Sequence, residues 1–101
     1  MIKHVVCFKI KEEYQNRLME AKLKMLAMKE QIPYIIDLEV GLDVLHSERS
    51  FDLILEVILP DLSALERYQQ DPYHCNVVKT LMHQIREASI AVDYEMDEVK
   101  E

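Results

Sequence analysis

Tyr68 and His74 stand six positions apart in the stretch Tyr-Gln-Gln-Asp-Pro-Tyr-His, split by Asp71-Pro72. A phenol can donate to a carbonyl oxygen that is gaining negative charge. An imidazole, titrating near pH ~6.5, can take or return a proton at neutrality. Together they could move a proton on a carbonyl compound without a cofactor. The alternative is a packed aromatic beside a hydrogen-bonded core histidine.

Asp71 is a good N-cap and Pro72 a good first-turn residue, so a helix is expected from Pro72 to about Ala88. At helical spacing His74, Val77, Val78, Leu81, Ile85 and Ala88 share one stripe, which turns His74 toward the core and places Leu81 on the same face. His83, nine residues on, falls half a turn away and is expected to face water. The positive end of that helix disfavours an imidazolium at His74, whereas a carboxylate neighbour would favour one. Asp93 is a candidate neighbour. It alternates with Val92 and Tyr94, and if its face looks toward the helices it needs a partner, with His74 the natural one. His4 shares a strand face with Val6 and Phe8, which makes all three candidate pocket residues, although a strand-end histidine in water fits the same pattern. Cys75 adjoins His74 in sequence, but helical neighbours point about 100° apart and no oxyanion donors accompany it.

The elements that must position these groups follow from periodicity. Residues 2–10 alternate with period two and read as a strand. From about Glu12 to Gln31 the period becomes helical, with Tyr14, Leu18, Ala21, Met25, Met28 and Ile32 on the core stripe and Pro33 ending it. Met19, Met25 and Met28 are expected to be adaptable core and pocket lining. Residues 35–45 alternate again around Gly41, where a bulge or a close backbone approach is expected. Phe51 to Leu59 forms a third strand that stops at Pro60. A short helix capped by Asp61 or Ser63 carries Tyr68 up to the Asp71-Pro72 break. Residues 89–95 make the last strand, and the acidic stretch from about Met96 forms a frayed tail.

That order predicts a single α+β domain over residues 1–101: a ferredoxin-like β-α-β-β-α-α-β sandwich with an antiparallel four-stranded sheet. Helices cover one sheet face. The other carries Val5, Cys7, Ile54 and Ile58, joined by Ile90, Val92 and Tyr94. A second apolar face needs a partner, so a homodimer through the sheet is expected.

Composition narrows the partners. The 101 residues hold 19 acidic against 12 basic side chains, a net charge of −7. Such a surface repels phosphate backbones, so nucleic acid is not an expected partner. No basic amphipathic helix or long apolar run points to a membrane. The opening residues do not form a secretory signal, and Cys7 and Cys75 are expected to be reduced thiols in the cytoplasm. No C-x-x-C or H-x-x-x-H spacing predicts a metal, and one glycine in the chain cannot build a phosphate loop, so no cofactor is expected.

Five segments in this order, "IKHVVCFKIK", "IPYIIDLEVGLDV", "SFDLILEV", "LERYQQDPYH" and "AVDYE", make the chain resemble the stress-responsive α/β-barrel family over nearly its whole length. The resemblance implies a small homodimer, a dimeric α+β barrel, and most members have no established activity. A plant polyketide cyclase of that family closes a ring by aldol chemistry without a cofactor. Its proposed tyrosine and histidine would fall on Tyr68 and His74, the histidine's aspartate partner on Asp93, and a pocket histidine on His4. The family's usual His-Pro-x-His is Asp-Pro-Tyr-His here. Three functions therefore compete: a module binding a small apolar molecule, a cofactor-free cyclase or isomerase, and a structural or interaction protein without a pocket.

Overall fold

The computed structural model describes residues 1–97; the acidic tail expected beyond that point lies outside the described residues. Strand β1 spans Ile2–Ile10, and a 3₁₀ turn at Glu12–Arg17 leads into helix α1, Leu18–Leu26, and a further turn α2, Met28–Gln31. Strands β2, Asp37–Leu42, and β3, Leu53–Leu59, form the central hairpin. Helix α3, Leu62–Gln70, precedes a helical segment whose middle, His74–Lys79, is a π turn and whose end is α4, Thr80–Ile85; strand β4 is Arg86–Glu95. The sheet is antiparallel in the order β2-β3-β1-β4. This is the ferredoxin-like α+β sandwich.

Alternation in β1 and β3 sets the two faces. Leu53, Leu55, Val57 and Leu59 are buried under the helices together with Ala21, Met25, Met28 and Ile32. The first-helix stripe therefore packs as its spacing requires, although the helix tightens at Glu12–Arg17 and breaks at Ala27. Gln15 ties the tightened turn to the sheet by donating to the Ile10 carbonyl at 3.0 Å. Gly41 makes a close approach: a Cβ there would sit 3.0 Å from the Ile54 side chain. The β2–β3 register runs through it without a bulge.

Several boundaries differ from the sequence expectation, among them the starts of β2, at Asp37 rather than residue 35, and of β4, at Arg86 rather than residue 89. Strand β2 ends at Leu42 rather than residue 45, because the Asp43 carboxylate accepts the His46 N–H at 2.7 Å and turns the chain, leaving Val44 and Leu45 in solvent. Strand β3 begins at Leu53. The last helix stops at Ile85 instead of about Ala88. There the Ile85 carbonyl accepts the Lys11 N–H at 2.9 Å, and Arg86 and Ala88 pair with Ile10 and Lys9 across a bulge. Ladder bonds to β1 override the local helical preference of Arg86 to Ala88.

Helix starts are chemically explicit. Asp61 caps α3 by accepting the Ala64 N–H at 2.8 Å. Asp71 accepts the backbone N–H groups of Tyr73 at 2.9 Å and His74 at 3.1 Å, which fixes the start of the helix that carries the histidine. Replacing such a cap by alanine costs about 1 kcal/mol. Asp71→Ala is expected to lower the urea midpoint accordingly, whereas Ser63→Ala, off the cap, is expected to leave it within error.

Candidate functional site

Tyr68 lies in the last turn of α3 and is fully buried. Its ring touches two imidazoles. His74 stacks on one face at 4.1 Å between centroids and 23° between planes. His4 meets it edge-on at 5.5 Å. The Tyr68 hydroxyl is directed away from both, to the Met28 sulfur at 3.7 Å. Burial, with Tyr34, Asp71 and Asp93 adding to it, pushes the phenol well above its ordinary value near 10.

His74 donates Nδ1–H to the Tyr68 carbonyl at 3.0 Å. A carbonyl can only accept, so the proton sits on Nδ1 and Nε2 keeps its lone pair. Burial pulls this imidazole down from about 6.5 to about 4, and the Lys79 ammonium adds to the shift. His74 is therefore neutral at physiological pH.

The partnership expected between Asp93 and His74 does not form. Asp93 is directly across from His4 in the β1–β4 ladder, and the two side chains share the helix-facing side of the sheet. The Asp93 carboxylate binds Nδ1 of His4. A carboxylate acceptor places a proton on that nitrogen too and orients the ring. Neither Nε2 makes a hydrogen bond to a described residue, yet no buried side-chain nitrogen or oxygen among those residues lacks a partner. Both Nε2 atoms must then be reachable by solvent.

The space they reach is a cavity of about 240 Å³ between β1, β4 and the π turn. Val6, Phe8, Leu55, Val78, Met82 and Ala91 supply apolar wall; His4 and His74 contribute the imidazoles. Of the expected pocket residues, His4, Val6, Phe8 and His74 line it. Tyr68 and Asp93 do not, and act on it only through the histidines they hold. Leu81 is a correction: it is buried on the far side of the helix and edges a separate depression with Arg17 and Lys24. Among the methionines, Met25 and Met28 are core, Met19 is exposed, and the one at the cavity is Met82.

The π turn explains most of these differences. Its wider i→i+5 turn slows rotation along the helix. Lys79 is thereby brought beside Val78 on the cavity side, and His83, exposed as expected, sits at the cavity rather than opposite it. Arg86 and Gln69 complete that edge. No residue in this stretch announces a π turn, so Lys79 and His83 could not be assigned to the site from spacing alone.

The model of the stress-responsive A/B barrel domain matches residues 2–96. The chain belongs to that family. Solved structures similar to this family member include a protein of Arabidopsis thaliana, 18% identical, with a TM-score of 0.83 and 99% of each chain covered. A dimeric ferredoxin-like protein of unknown function from Bacteroides fragilis is 22% identical, with a TM-score of 0.78 over 94% of this chain and 95% of that one. A hydroxynitrile lyase from Passiflora edulis is 12% identical, with a TM-score of 0.83 over 99% and 96%. A search of proteins with curated descriptions gave no match.

In this stress-responsive barrel domain, the depressed His74 value links stability to pH. The unfolded chain binds the His74 proton from about 6.5 downward and the folded chain only near 4. Stability from this group is complete above about pH 6.5 and is lost as pH falls toward 4. The loss is on the order of 2 kcal/mol once screening by the solvent in the cavity is allowed for. His74→Gln keeps a donor for the Tyr68 carbonyl and removes the titration. Denaturant unfolding from pH 7 to 4 is expected to show a shallower loss in this variant than in the parent; equal slopes would refute the assignment.

Proposed function

We propose that the protein binds a small, largely apolar molecule in the cavity between its sheet and helices, one site per subunit of a homodimer. The observation that carries this reading is a cavity with apolar walls onto which two imidazole nitrogens open with their lone pairs unused. Packing alone gives no reason for such a space: protein interiors are close-packed, and a concave apolar site with few convergent polar groups is the usual form of a ligand pocket. An engineered cavity of about 150 Å³ takes a benzene molecule, so 240 Å³ has room for a substituted single ring or a short chain. The experiment is a protein-observed NMR titration with acetophenone as a neutral ring compound. Shifts centred on Val6, Phe8 and Val78 are expected; no shifts up to the solubility limit would remove the binding reading.

The imidazole pair favours a second reading, proton transfer on a bound carbonyl compound. The base in this reading is His4, whose ring the Asp93 carboxylate orients. His74, whose one proton is held on Nδ1 by the Tyr68 carbonyl, has none to give the enolate oxygen. The proton that His4 takes from carbon returns there, and the oxygen would be met by the Lys79 ammonium or the Arg86 guanidinium at the cavity edge. Tyr68 serves as a positioning residue through its ring, because its hydroxyl is committed to Met28. Hydrogen–deuterium exchange at the carbon beside the carbonyl of acetophenone reads this directly. The protein is expected to accelerate exchange, and His4→Phe is expected to remove about 10²–10⁴-fold of that rate. Exchange no faster than that given by free imidazole at the same concentration would leave binding alone.

The dimer reading rests on the uncovered sheet face, where Ile90, Val92 and Tyr94 are 57%, 61% and 44% exposed beside half-buried Val5, Ile54 and Ile58. Structural neighbours in Bacteroides fragilis and Thermobifida fusca are dimeric ferredoxin-like proteins. Light scattering at micromolar concentration is expected to give twice the chain mass, and Val92→Glu on this face is expected to shift it toward monomer. A monomeric parent would overturn the assignment.

A further inference from the structure

We infer that the ligand of this cavity carries a carboxylate: an organic anion whose apolar body fills the pocket and whose charged end lies among Lys79, His83 and Arg86. The inference rests on the binding reading above and specifies its ligand class. Its basis is the charge of the lining. The chain has 19 acidic and 12 basic residues, yet no aspartate or glutamate lines the cavity, while one lysine, one arginine and three histidines do. Of the carboxylates close behind that lining, Asp93 is taken up by His4 and Asp71 by the backbone N–H groups of Tyr73 and His74.

The cations are placed rather than incidental. The π turn carries Lys79 round to the cavity side, where its ammonium donates to the Gln69 carbonyl at 3.3 Å. Arg86, the first residue of β4, is steadied by donation from Nη1 to the Ser89 hydroxyl at 2.7 Å. Both bonds use neutral acceptors. Neither side chain has a carboxylate within ion-pair distance among the described residues, whereas Arg17, Lys24 and Lys29 elsewhere on the surface do. The guanidinium and ammonium thus keep donors available for a ligand, and charge-assisted bonds to a carboxylate are the strongest use of them. A protein of net charge −7 repels anions at long range, so capturing one requires a local positive field of this kind. The deeper wall of Val6, Phe8, Leu55 and Val78 has no charge and fits the hydrocarbon end.

The test is an NMR titration of the full chain with benzoate and hexanoate against their neutral isosteres, benzamide and hexanamide, with phenyl phosphate as a third arm. The acids are expected to bind at least about tenfold more tightly than the amides, with shifts at Val6, Phe8 and Val78 in both series. Lys79→Gln combined with Arg86→Gln is expected to abolish most of that preference, weakening the acids far more than the amides. Should the double variant not fold, each single variant must reduce the preference by about threefold or more. Equal binding of acids and amides, a preference that survives the substitutions, or tighter binding of phenyl phosphate than of benzoate would overturn the carboxylate assignment and leave the binding reading standing. If no member of either series binds, the cavity is not a ligand site and both fail.

Discussion

The hydrogen bond from His74 Nδ1 to the Tyr68 carbonyl joins the two halves of the helical layer and decides the chemistry of the site. Carbonyls in the last turn of a helix lack intrahelical donors. At the end of α3 the Tyr68 carbonyl is met by the Asp71 N–H at 3.2 Å and by the imidazole. That one contact closes the α3 terminus, presses the His74 ring flat on Tyr68 and assigns the tautomer. Tyr68, whose hydroxyl reaches the Met28 sulfur, touches both imidazoles with its ring. If the ring were removed, both histidines would lose an aromatic contact and keep only their bonds at Nδ1.

The cross-strand pair His4–Asp93 answers a different constraint. A carboxylate on the helix-facing side of a sheet needs a donor. Register supplies it, since the two residues are opposed in neighbouring antiparallel strands. The pair joins β1 to β4 at the end of the sheet where Ile2 and Glu95 pair. The helices bury the inner face of β3 but leave β4 largely uncovered, so the cavity opens where the helical layer stops short of the edge strand.

Much of this arrangement is legible in the sequence. Period-two alternation gave all four strands, and the stripe from Tyr14 to Ile32 gave the first helix despite its 3₁₀ start and its break at Ala27. Asp71-Pro72 announced the start of the helix that buries His74. What escaped depends on non-local geometry. The partner of Asp93 lies 89 positions away in sequence and is chosen by strand register, which alternation alone does not specify. A uniform 100° step puts Leu81 on the cavity face and leaves Lys79 off it, whereas this segment turns more slowly. The helix end at Ile85 was set by pairing with β1, a tertiary bond that outweighs local preference.

The π turn at His74–Lys79 also gives the pocket an unusual route of variation. A π turn holds one more residue than an α turn of the same height. Deleting a single residue within 75–78 would restore α geometry and leave the His74 anchor and the β4 strand in place. The lysine would then stand four residues after His74, about 40° from it around the helix, in the place that Val78 holds now. A change in chain length by one, rather than any exchange of side chains, would recast which molecules the site accepts.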